Sequence, residues 1–160
     1  MKKSQMEIMG IAIIVVLLSM VLLFAVRFMM AAKDNPVSKE FKDSEMAANF
    51  LNTMLETNAP QCSNITFTVL FQDCAENQPG IINCYPDFSC DYIREKTKEM
   101  LNATFDVWKI DYYFIAYTDL NDAVNSAIFK PIGSPCNTGR VKHQPLPTKP
   151  PLQISLYICD

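Results

Sequence analysis

Apolar and polar residues follow different rhythms along this chain. From Ile8 to Val26 there is none: 19 residues pass without a charge, diluted only by Gly10 and Ser19. At about 1.5 Å of rise per residue the run makes roughly 28 Å of helix, close to the hydrocarbon thickness of a bilayer. A helix packed on a soluble core would show a polar stripe, and this one has none. The segment therefore belongs in a membrane or in the apolar centre of a helical assembly. Past Arg27 the helix is expected to continue through Ala32 and to stop or bend at Asp34-Asn35-Pro36, because proline removes a backbone donor and disfavours helix just before it. A second helix is predicted from Ser38, as N-cap, to about Glu56. Its apolar side carries Phe41, Ala47, Ala48, Leu51, Met54 and Leu55, and its charges lie mostly opposite.

The period then shortens to two. Ile65, Phe67, Val69 and Phe71 alternate with Thr66, Thr68 and Gln72, Leu70 excepted, which predicts a half-buried strand over 63–72. Pro79-Gly80 marks a turn. A helix follows from about Asp91 to Phe105, with Ile93, Met100, Leu101 and Phe105 inward and Arg94, Glu95, Lys96, Lys98 and Glu99 in solvent. Trp108, Ile110, Tyr112 and Phe114 alternate with Lys109, Asp111 and Tyr113 as a second strand running to Tyr117. Val124–Ile132 is a third. Arg140 to Pro151 reads as an exposed, basic, proline-rich loop around His143. Leu152–Cys159 alternates cleanly as the last strand. The expected fold is α+β: a long N-terminal hydrophobic helix, then a small disulfide-braced head of one or two helices on an antiparallel sheet of about four strands. Residues 1–33 form the leader and helix, and 34–160 the head.

Charge and cysteines sharpen the division. From Asp34 onward ten Lys and Arg face sixteen Asp and Glu, a balance of −6 within an overall −3. An acidic head argues against nucleic acid, whose phosphates need a positive patch. Cys62, Cys74, Cys84, Cys90, Cys136 and Cys159 all follow the apolar run, and an even number there reads as three disulfides in an oxidising space. A straight strand over 63–73 would hold Cys62 and Cys74 about 40 Å apart, too far to bridge. The short loop between Cys84 and Cys90 makes a local bridge feasible. The leading Lys2 and Lys3, the cysteines and the sequons Asn64-Ile65-Thr66 and Asn102-Ala103-Thr104, whose Asn64 and Asn102 are candidate glycosylation sites, agree on a cytoplasmic N-terminus and an external head.

Little catalytic chemistry is visible. The one histidine, His143, is expected at the surface. There is no nucleophile elbow, P-loop or dinucleotide fingerprint, and no paired metal-ligand spacing. No catalytic residue, metal or cofactor is expected, and the aromatics at Trp108, Tyr112, Tyr113, Phe114 and Tyr117 read as core.

A secretory signal would have a shorter apolar core and a small-x-small cleavage site, whereas Met29 and Met30 precede Ala31-Ala32. The order Lys2-Lys3-Ser4-Gln5-Met6-Glu7-Ile8-Met9-Gly10 ahead of an aliphatic run resembles the class III signal of archaeal type IV pilin-like proteins. The resemblance covers the N-terminal 30 residues or so. It implies cleavage by a prepilin-type peptidase between Ser4 and Gln5, with Lys3 as the charged residue before the cut. It also implies a cell-surface filament subunit whose helix packs with copies of itself or with other pilin-like subunits. Glu7 would then pair with the new amino group on a neighbour's Gln5, or else lie at the headgroups, where the helix dipole favours it. Gly10 would permit close helix approach. The alternative is a single-pass, membrane-anchored extracellular binding module that does not polymerise, with Arg140–Lys149 as its contact loop.

Overall fold

The computed structural model describes the backbone of residues 2–31 and 36–159, with side chains at Gly10, 12–29 and 41–159. It divides into two compact units, Met1–Lys39 and Glu40–Asp160. The first is built on one helix, α1 (Lys2–Ala31). The expected break at Asp34-Asn35 lies outside the described residues. Pro36 opens the next helix, α2 (Pro36–Glu56), where its missing N–H has no intrahelical partner to lose.

The head is α+β. After α2 come a two-residue ladder, β1 (Asn58–Ala59) with β2 (Ile65–Thr66), and then α3 (Phe67–Glu76). A second ladder, β3 (Asn83–Cys84) with β4 (Asp87–Phe88), leads into α4 (Ser89–Leu101). One π turn, Asn102–Asp106, carries α4 to its end. The main sheet has β5 (Tyr112–Tyr117), β6 (Ile132–Gly133), β7 (Gly139–Leu146) and β8 (Leu152–Cys159), all antiparallel, in the order β6-β5-β8-β7.

Pleat and helical period meet in one core. Pairs Tyr112↔Ile158, Phe114↔Leu156 and Ala116↔Ile154 put six buried residues on one face of the sheet. Against it pack Leu51, Met54 and Leu55 of α2, Phe67, Leu70 and Phe71 of α3, and Ile93 and Leu101 of α4. Spacings of three and four in α2 and α3, and of eight in α4, keep each set on one helix face. Phe71 lies 6.4 Å from Phe114, and Phe105 lies 5.5 Å from Tyr112 between ring centres. Each such fully buried side chain contributes roughly 1.5–3 kcal/mol relative to exposure.

Several expectations are corrected. The stretch 63–72 is not a strand: only Ile65–Thr66 pair, and from Phe67 the chain is helical. Phe67, Leu70, Phe71 and Cys74 are buried at i, i+3, i+4 and i+7, so Leu70 is part of the inward face. The strand expected from Trp108 begins at Tyr112; Trp108 stands in the turn before it and is 59% exposed, outside the core. Val124–Ile132 yields one isolated bridge, Tyr117↔Ala127, and the short β6. The basic segment expected as a loop is largely β7, an edge strand, where a sheet tolerates a residue such as Pro145.

The disulfides are Cys62–Cys84, Cys74–Cys90 and Cys136–Cys159. Cys84 therefore does not bridge Cys90. The β3–β4 turn directs Cys84 to Cys62 of the 3-10 turn Pro60–Cys62, while the first turn of α4 brings Cys90 against α3. Cys62 and Cys74 are indeed unpaired with each other, though α3 removes the straight-strand reason for it.

Candidate functional site

The clearest functional element is α1. Its segment Ala12–Met29 is long and apolar enough to cross a membrane, and none of it is buried inside the chain. A signal sequence at an N-terminus has the same character. From Ile13 through Phe24 the large apolar side chains project outward all round the helix. The one hydroxyl in the segment, on Ser19, donates to Val16 O at 2.8 Å, so it needs no partner from lipid or a neighbouring helix. A Cβ at Gly10 would meet nothing within 4 Å, so folding of the single chain does not require glycine there. Lys3, Ser4, Gln5 and Glu7 are helical in backbone within Lys2–Ala31, and their side chains lie outside the described residues. All six cysteines are bridged, as in proteins of oxidising, extracellular environments.

On the head, the sheet face turned from the helices brings together residues that sequence reading kept apart. Pairing places Tyr113 opposite Tyr157, Ile115 opposite Ser155, and His143 on the other side of Ser155. His143 Nδ1 lies 2.7 Å from Ser155 Oγ, which donates to the Tyr117 hydroxyl at 3.3 Å. The Tyr113 and Tyr157 rings are 5.8 Å apart. Burial, with the neighbouring Tyr117 and Tyr113 hydroxyls second, raises the Tyr157 pKa above its ordinary value. Ser155 is 0% exposed, so no substrate reaches its hydroxyl, and the trio ties three strands together on this face. The signal for it was the residue parity of the last strand, which paired Ser155 with Gln153 and Tyr157 but gave no hint of the partner strand. Arg140 and Lys142 share parity with the inward positions Ile158 and Leu156 and are half-buried, so they are not tips of a contact loop.

A groove of about 480 Å³ runs between α2 and the π turn, lined by Met46, Asn49, Phe50, Thr53, Thr104 and Trp108. Behind α3, Asp73 Oδ2 accepts from Ile81 N, Ile82 N and Ser89 Oγ, and Oδ1 accepts from Asn77. The two sequons fall in unlike settings. Asn64 is exposed in a turn at φ 61°, whereas Asn102 sits in the π turn, where its Oδ1 accepts from the Tyr112 hydroxyl at 2.8 Å. Among the described residues no three His, Cys, Asp or Glu side chains are grouped to hold a metal ion.

Comparison of the chain with known protein families, characterised proteins and solved structures finds no match.

Proposed function

We propose that this protein is a pilin-like subunit of a cell-surface filament or related assembly. Its N-terminal helix anchors it in the membrane before assembly and packs with neighbouring subunits within it; its head is exposed outside. The observation that carries the reading is a charged leader, Lys2-Lys3-Ser4-Gln5-Met6-Glu7, set directly before the uncharged run Ile8–Val26, with none of the Ala12–Met29 segment buried in its own chain. Such a helix is stable only in lipid or among other helices. The three disulfides support an external head. In this reading a prepilin-type peptidase cuts after Ser4, Gln5 becomes the first residue, and Glu7 sets register by pairing with a neighbour's new amino group.

The test is the intact mass and N-terminal residue of the protein purified from its native membranes. A chain that begins at Gln5 supports pilin-type processing. One that begins at Met1 removes the main support and leaves a single-pass anchored module, whose function lies in the head alone.

A further inference from the structure

Two triplets with the same acceptor chemistry, Asn64-Ile65-Thr66 and Asn102-Ala103-Thr104, are folded in opposite ways. We propose that Asn64 carries an N-linked glycan and that Asn102 does not. The inference rests on the external placement of the head given above, but not on filament formation.

Asn64 is exposed and follows Ser63, both at positive φ (61° and 57°), a conformation asparagine accepts more readily than most residues. The turn is fixed by the Asn64 N–H donating to Ala59 O at 3.0 Å and by the neighbouring Cys62–Cys84 bridge. Beyond Asn64 the chain is extended through Ile65 and Thr66 as β2, with Thr66 at φ −72°, ψ 152°. Among the described residues, neither the Asn64 amide nor the Thr66 hydroxyl has a hydrogen-bond partner. The amide is thus in solvent, and the hydroxyl two residues on is not committed elsewhere.

Asn102 is exposed as well, but its backbone and its hydrogen bonding differ. Its triplet lies wholly in the helical turn Asn102–Asp106. Helical backbone sets residues i and i+2 roughly 200° apart, so amide and hydroxyl face opposite sides. That separation is visible here: Asn102 Oδ1 is held by the largely buried Tyr112 hydroxyl, while Thr104 lines the groove beside Phe50 and Trp108. An enzyme that must grip both groups would have to unwind the turn, break the Tyr112 bond and pull out Phe105, which is fully buried next to Thr104.

The reaction needs a donor sugar on a lipid phosphate or pyrophosphate and an oligosaccharyltransferase. The Asn64 side-chain nitrogen attacks the anomeric carbon and forms the C–N bond. The bond from that carbon to the phosphate oxygen breaks, the lipid phosphate leaves with the electron pair, and the nitrogen's proton passes to a base of the transferase.

The experiment measures the intact, non-reduced mass of the full chain from its native membranes against that of its polypeptide. Wild-type protein is expected to carry extra glycan mass. Asn64→Gln and Thr66→Ala should lose all of it; Asn102→Gln and Thr66→Ser should keep it. Thr66→Ala leaves Asn64 in its turn, and Thr66→Ser restores the acceptor hydroxyl, so a folding defect in Asn64→Gln does not blur the result. Glycan lost in Asn102→Gln but kept in Asn64→Gln overturns the proposal, since modification would then have preceded the helix. Bare protein with three disulfides overturns the acceptor assignment and leaves the external placement standing. Bare protein with six free thiols overturns both.

Discussion

At the scale of single residues, one carboxylate gathers four hydrogen bonds in the head. Asp73, on α3, holds the loop between α3 and α4 through the Ile81 and Ile82 N–H groups at 2.9 and 3.0 Å and the Ser89 hydroxyl at 2.6 Å. Gly80 makes this possible: at φ 103° it tolerates the turn, and a Cβ there would overlap the Ser89 hydroxyl and crowd Asp73. Burial pushes the Asp73 pKa up, but the hydrogen bonds from Ser89, Ile82, Ile81 and Asn77 together outweigh it, and the pKa falls below its ordinary 3.8. The unfolded chain therefore takes up the proton first as pH drops. The stabilisation is full above the unfolded value and is lost as pH falls through the lower, folded one. Asp73→Asn is expected to destabilise the head by about 1–3 kcal/mol at pH 7. Urea midpoints of wild type and variant should draw together as pH falls below the ordinary 3.8; a gap unchanged with pH would mean that charge at Asp73 is not what holds the loop. Gly80→Ala should lose at least about 1 kcal/mol by the same measurement, since it adds strain to the overlap.

Elements show where local pattern and tertiary contact disagree. The β-branched and aromatic residues of 65–72 alternate well enough to read as a strand, yet Phe67, Leu70, Phe71 and Cys74 also fit a helical face. The core decides between the two: Phe71 packs on Phe114 and Phe129, and Cys74 bridges Cys90. The two readings predict opposite mutants. In α3 Leu70 is 0% exposed and Val69 is 42% exposed, whereas strict alternation would bury Val69 and expose Leu70. Leu70→Ala should cost about 2–5 kcal/mol, and Val69→Ala should stay within about 0.5 kcal/mol, by denaturant unfolding with disulfides intact. Leu152–Cys159 was legible to the residue because its period of two has no helical competitor. β7 was hidden by Pro145 and Pro147, which speak against a strand unless it is known to lie at an edge, and edge position belongs to the whole sheet. The Ser155–His143 contact was hidden for the same reason, since it depends on register between two strands. Cysteine spacing carried the number of bridges but not their partners. The turn at β3–β4 had to be known before Cys84 could be matched with Cys62.

For the whole molecule, the two units ask for different surroundings. The head buries its apolar residues and is acidic; the Ala12–Met29 segment buries nothing within the chain. Each large side chain left in water there forgoes roughly 1.5–3 kcal/mol, a total no soluble monomer sustains. A chain starting at Pro36 is accordingly expected to stay in aqueous solution with its three disulfides, and the full chain to need detergent. That outcome would not separate lipid from a helical assembly, because both remove the same surface from water. Glu7 does separate them. In an ordinary anchor it is a headgroup-level residue at the start of a helix, where a dipole interaction of about 0.3–1 kcal/mol is all it contributes. In a filament its carboxylate lies among apolar helices and needs the amino group of a neighbour's Gln5, and removing one partner of such a buried pair leaves the other charge uncompensated, at about 3–5 kcal/mol for each subunit contact. Glu7→Ala should therefore leave detergent extraction and the disulfide-bonded head unchanged while abolishing sedimenting filaments at the cell surface, as seen by ultracentrifugation and negative-stain microscopy. Filaments formed by Glu7→Ala at the wild-type yield would remove Glu7 from subunit packing and return it to the headgroup layer.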